Sequence, residues 1–141
     1  MKMRMRRRGR RGIWALLLIP VFLLAGCGKG NGDGDRETLD YEVVAEAEIP
    51  PELKTIIEEK KQAEFKLTYT CDGYLYLVTG LGQQETGGYS ISVRDLYLQK
   101  GSICLETQSM GPSGDEAVSG TPSCPYLVLR LLYREEPVVF L

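Results

Sequence analysis

The chain contains no histidine, and that one absence removes the serine, cysteine and zinc chemistries that need imidazole as base or ligand. Cysteine is sparse: Cys27, Cys71, Cys104 and Cys124 include no Cys-x-x-Cys pair, so ribbon-type metal sites and thioredoxin-like redox sites lack their spacing. The three thiols after Cys27 allow at most one disulfide with one left over, and they equally suit small half-buried hydrophobes in strands. The single tryptophan, Trp14, lies near the start. There is also no apolar run of the roughly 20 residues that a spanning helix needs. The run Ile13 to Leu24 is shorter and is interrupted by Pro20, which disfavours a permanent membrane helix.

What the front of the chain does contain is a secretory leader. Seven Lys or Arg fall within the first 12 residues, followed by the apolar run and by small residues at Ala25-Gly26. This is the order of a signal peptide: basic block, apolar stretch, cleavage site. Leu24-Ala25-Gly26-Cys27 resembles a bacterial lipobox. The resemblance implies residues 1–26 as the leader and Cys27 as the new N-terminus, carrying a diacylglycerol thioether. Two acyl chains anchor stably where one holds only marginally. The expected location is therefore the extracytoplasmic face of the cell membrane, with the chain held by a lipid anchor. Gly28 stands where an aspartate would imply inner-membrane retention.

Loss of the leader takes seven of the 17 basic residues and none of the 19 acidic ones. The remainder carries ten against 19, a formal charge of −9. Such a surface repels nucleic acid, so the basic block says nothing about partners of the processed protein.

Residues 27–40, reading CGKGNGDGDRETLD, are glycine-rich and acidic, with Leu39 the only large apolar side chain. They read as a flexible tether, leaving 41–141 for one β-rich domain. Tyr41 to Ile49 is expected as a first strand, with Tyr41, Val43, Ala45 and Ala47 on one face. Pro51 then opens a helix to about Gln62, since proline suits the first turn. Its Leu53, Ile56 and Ile57 form a stripe that would pack on a sheet.

From Phe65 the apolar period changes to two. Phe65, Leu67, Tyr69 and Cys71 alternate with polar residues, and Asp72-Gly73 is a hairpin signal. Tyr74 to Thr79 is apolar enough to be buried on both faces. Tyr89 to about Leu98, Ser102 to Thr107, Tyr126 to Tyr133 and Val138 to Leu141 complete the strands, with Lys100-Gly101 as a turn. Consecutive hairpins imply antiparallel pairing. The expected fold is mainly β (α+β): a small antiparallel open barrel or sandwich of about six or seven strands with one packed helix.

Two irregular stretches interrupt the strands. Leu81 to Val93 contains Gly87-Gly88, and Ser109 to Pro125 holds three prolines and three glycines. Irregular loops of this length are uncommon in compact domains unless functional. Gly82 followed by Thr86-Gly87-Gly88-Tyr89-Ser90-Ile91 resembles the C-terminal domain of the PrcB protease-complex-subunit family. The later order agrees: Gly111-Pro112, Ala117-Val118, then Pro125-Tyr126 leading into Leu127-Val128-Leu129. The sequence lacks the proline that this family commonly places before the loop threonine. The resemblance spans about Tyr74 to Leu141 and implies a small β accessory domain, without catalytic residues, on exported or lipid-anchored proteins. A fainter similarity is to chagasin-like inhibitors of cysteine proteases, which pair a Thr-Gly-Tyr loop with a glycine-rich loop at one end of a β-sandwich.

Chemistry is thin elsewhere. Asp115-Glu116 is a carboxylate pair in the long loop, but no nucleophile or base accompanies it. Ser90, Ser92 and Thr86 have no histidine or placed lysine. Gly87-Gly88 precedes a strand, not the helix N-terminus that phosphate binding uses. No catalytic residue, cofactor or metal is expected. Seven tyrosines from Tyr69 to Tyr133 suit both half-buried sheet positions and interfaces, and Tyr89 and Tyr126 adjoin the irregular loops. The expected partner-binding residues are Thr86, Gly87, Gly88, Tyr89, Gly111, Pro112 and Tyr126. The expected partner is a protein, either a protease or another envelope protein. A structural envelope lipoprotein is a further reading.

Overall fold

Asp72-Gly73 and Lys100-Gly101 each put two consecutive residues in the left-handed region, with φ of 50° and 78° in the first pair and 50° and 74° in the second. That is the backbone of a type I′ turn, whose twist matches the strands it joins. Around these two hairpins the structure, a computed structural model, describes residues 35–113 and 120–141. The strands are β1 (Glu37–Thr38), β2 (Glu42–Val43), β3 (Glu64–Cys71), β4 (Tyr74–Leu81), β5 (Ser90–Gln99), β6 (Ser102–Met110), β7 (Tyr126–Leu132) and β8 (Val138–Phe140). A 3-10 turn at Glu46–Glu48 precedes the helix α1 (Pro51–Lys60).

The strands form two four-stranded sheets, ordered β1-β5-β6-β8 and β2-β7-β4-β3. Leu75, Leu77, Leu129 and Leu131 from the second sheet meet Leu96, Ile103 and Leu105 from the first. The other face of the second sheet, with Tyr76, Val78 and Val128, is covered by Leu53 and Ile57 of α1. The order of layers is therefore sheet, sheet, helix. The central strand β4 is apolar in near-continuous fashion because both its faces are covered: Leu75 through Gly80 are all buried. Each fully buried leucine contributes about 1.5–3 kcal/mol.

The fold class is as expected, a sandwich-like α+β arrangement whose sheets do not close into a barrel. Its details differ from the sequence reading in several places. The described residues form eight strands where about six or seven were expected, two of them only two residues long. Tyr41–Ile49 is not one strand: only Glu42–Val43 pair, with Arg130 and Leu129 of β7, and the chain then turns toward the helix. Alanine and glutamate are poor strand formers, and Glu46–Glu48 close the 3-10 turn instead. The last strand is not a hairpin partner of β7. It crosses to the other sheet and pairs in parallel with β6, Ile103 opposite Val138 and Leu105 opposite Phe140.

Within the acidic stretch before Tyr41, paired structure already begins at Glu37, opposite Leu98 of β5, and Leu39 is buried in the sandwich. Arg36 lies over the Tyr97 ring at 4.0 Å. A β-bulge interrupts β5 between Val93 and Asp95. The leader, Cys27, and the loop residues Asp115, Glu116, Ala117 and Val118 lie outside the described residues.

Candidate functional site

Both irregular stretches leave the same end of the sandwich, because β4 ends where β5, β6 and β7 begin or end. Gly82, φ +77°, makes the first turn out of β4 while buried, and a Cβ there would sit 2.9 Å from the Glu64 backbone nitrogen. Only glycine meets both requirements. Beyond it, Gln84 and Ser123 form an isolated antiparallel bridge, with N–H to carbonyl distances of 2.7 and 3.0 Å. The Ser123 hydroxyl donates to the Thr86 carbonyl at 2.8 Å, and the Leu81 N–H donates to the Pro125 carbonyl at 3.0 Å.

The loop tips meet as well. Gly88, φ +89°, is the left-handed member of the glycine pair; a Cβ on it would lie 3.0 Å from Cβ of Pro112. Gly111 faces the edge of the Tyr89 ring, its own hypothetical Cβ 3.4 Å from Cε1. The Thr86 hydroxyl donates to the Gly87 carbonyl at 3.1 Å. Six of the seven expected residues (Thr86, Gly87, Gly88, Tyr89, Gly111 and Pro112) therefore stand together.

Tyr126 does not join them. It opens β7 opposite Gly80 and packs with the helix-facing cluster, where burial pushes its hydroxyl pKa above the usual range. It packs beneath the loop end, half-buried, in the wall of a separate groove with Val44 and Cys124.

This end is built of backbone carbonyls, glycines, a proline and one half-exposed tyrosine. The Ser92 hydroxyl is turned to the Gln108 carbonyl. Among the described residues no buried side-chain N or O lacks a hydrogen-bond partner, and no cluster of His, Cys, Asp or Glu is suited to a metal. Cys71, Cys104 and Cys124 are free thiols, and burial together with the Asp72 carboxylate raises the pKa of Cys71.

A second exposed surface lies at the opposite end of β4 and β7. It gathers Tyr41, Tyr74, Leu132 and Tyr133 beside Arg130, and the sequence reading did not single it out. Arg130 pairs with Glu42 and lies 4.9 Å from the Tyr74 ring centroid; Glu42, then Tyr76, hold its pKa above the usual arginine value. A comparison of lengths would have flagged this end. Ten helical residues cover about 15 Å, whereas the eight-residue β4 runs about 25 Å, so the apolar face of the sheet continues past the helix.

No curated protein and no solved structure matches the chain. A family model does: residues 75–131, which are β4 through β7 with both loops between them, match the family described as PrcB C-terminal, as the Thr86-Gly87-Gly88-Tyr89 and Pro125-Tyr126 motifs lead one to expect.

Proposed function

We propose that this is a lipid-anchored protein of the extracytoplasmic membrane face whose non-catalytic β domain binds a partner protein, as an accessory subunit of a protease complex. The observation that carries the reading is the meeting of the two loops, Gly88 against Pro112 and Tyr89 against Gly111, inside the stretch that matches the PrcB C-terminal family. Two loops fixed against each other on a β scaffold present a preorganised surface, and preorganisation lowers the ordering cost of binding. The Cys27 anchor is supported by the lipobox-like Leu24-Ala25-Gly26-Cys27. Capture of partners from detergent-solubilised membranes tests the binding role. Tyr89→Ala with Pro112→Ala should remove the captured protein while thermal unfolding stays cooperative. Undiminished capture by the folded double variant rules out the loop surface.

The same pairing of loops favours one other reading, a chagasin-like inhibitor of cysteine proteases. In that case the processed domain slows papain-like proteases at low concentration, and complete inertness removes it. A structural envelope lipoprotein predicts no specific captured partner in the first experiment.

A further inference from the structure

The end of the domain opposite the loops is where the sheet outruns its helix. α1 covers Tyr76, Val78 and Val128, and the face then continues uncovered to Tyr74, 37% exposed, and Leu132, 73% exposed. Tyr41 at 39% and Tyr133 at 51% flank them. Two shallow grooves, about 400 and 380 Å³, adjoin here and share Asp40, Leu131 and Leu132 in their walls. Leu132 is thus an apolar ridge between two depressions, with tyrosines on both sides.

The arginines at this end are already neutralised. Arg130 is paired with Glu42 and Arg134 with Glu136, the latter at 2.7 Å. Glu37 and Asp40 also line the grooves, so the rim is acidic and repels anionic headgroups, which leaves a zwitterionic lipid surface as the fitting partner. Exposed leucine, tyrosines with an apolar body and a polar tip, and arginines on long apolar stems form the side-chain set that settles at a lipid–water boundary.

The covalent chain also leads here. Glu37 to Glu42 run past this end and line both grooves. Only eight residue steps separate Cys27 from Asp35, so covalent geometry alone limits their separation to at most about 28 Å. A lipid on Cys27 therefore holds this end close to the bilayer, whereas the loop end lies a further strand length of about 25 Å away.

We propose that the Tyr41–Tyr74–Leu132–Tyr133 face rests on the phospholipid bilayer in which Cys27 is anchored, directing the two loops away from the membrane. The inference rests on the anchor reading given above. The processed chain has no tryptophan, since Trp14 precedes Cys27, so Leu132→Trp creates a single emitter at an exposed position. The full-length gene is expressed in a bacterial host, and the processed protein is purified from its membranes and reconstituted in phosphatidylcholine vesicles with and without brominated phosphatidylcholine. Mass spectrometry establishes acylation of Cys27. The expected result is a blue-shifted emission that loses about half its intensity to the brominated lipid, while Glu85→Trp at the loop end is unquenched.

Acylated protein whose Leu132→Trp emission is unquenched overturns the bilayer contact alone; a blue shift without quenching does the same and assigns the face to a protein. An unmodified Cys27 overturns the anchor reading and this inference with it. Tyr133→Trp, at the neighbouring exposed position, repeats the measurement if Leu132→Trp fails to fold.

Discussion

The two ends of the second sheet solve the problem of a strand's end in opposite ways. At the Leu81 end the chain folds back on itself: an isolated bridge, a serine hydroxyl on a carbonyl, and a glycine against a proline tie two loops together. At the Tyr74 end the strands stop without a cover, and large side chains stand in solvent. The first end uses glycine and backbone hydrogen bonds, so its residues are constrained by the fold as well as by any partner. The second end has side chains whose exposure the fold does not need. Substitutions of the residues that tie the loops together should therefore cost stability, whereas those at the tyrosine end should leave stability unchanged and register as lost association.

The largest stability effect is expected at Gly82. Gly82→Ala puts a Cβ into a left-handed residue and within 2.9 Å of backbone at Glu64. Strain of this kind together with overpacking costs about 2–4 kcal/mol, or more than about 10 °C in Tm for a domain of this size. Calorimetry of the variant checks it, and an unchanged Tm would mean that the loop end is not held from inside. Ser123→Ala is the milder version. It removes the hydroxyl from the Thr86 carbonyl but leaves the Gln84 bridge, so a loss of about 1 kcal/mol is expected in urea unfolding. A larger loss would show that the bridge depends on the serine.

Leu132→Ser carries the comparison to the other end. With 73% of Leu132 already in water, the change should stay within about 0.5 kcal/mol of wild type in the same unfolding experiment. A loss near that of Gly82→Ala would mean that the ridge is part of the core after all, and the contrast between the ends would collapse.

How far this contrast could be read from the sequence depends on which periods were local. The alternation from Phe65 to Cys71 is legible because one face of β3 packs toward α1, while Lys66, Thr68 and Thr70 on the other stay exposed. The burial of β4 on both faces follows from its unbroken apolar run, and the type I′ turns from Asp72-Gly73 and Lys100-Gly101. The approach of the two loops was legible through motif order, and the structure brings Thr86 to Tyr89 beside Gly111-Pro112. What is set by distant neighbours was not legible. Tyr126 adjoins a loop in sequence but is turned under the helix by its place opposite Gly80. Leu132 and Tyr133 end an apolar strand and look like core, yet no layer reaches that far. The parallel β8 depends on which sheet has a free edge, a property no local pattern encodes.

The line along which cover gives way to exposure has its own marker in Tyr69. Opposite Tyr76 on the helix-facing side of the sheet, its hydroxyl donates to the Glu52 carboxylate in the first turn of α1 at 2.8 Å. One residue pair further on, Cys71 still packs against the helix-facing cluster, whereas its partner Tyr74 stands exposed. The hydrogen bond to Glu52, then desolvation, push the Tyr69 pKa up to about 12 from its ordinary 10.0. The folded state thus holds this proton more tightly than the unfolded chain does. The stabilisation is complete below pH 10 and is lost as pH rises through about 12. The expected effect is the smallest of the four, since the pair is solvated, and it is confined to that window. Tyrosinate absorbance followed with pH should show a hydroxyl titrating near 12 in the wild type that moves back toward 10 in Glu52→Gln, while the raised Tyr97 and Tyr126 hydroxyls stay where they are. Stability near neutral pH should be little changed by that substitution. If the titration curves of wild type and Glu52→Gln coincide, the N-terminus of the helix is not seated on Tyr69, and the uncovered face begins further inside the sheet than Tyr74.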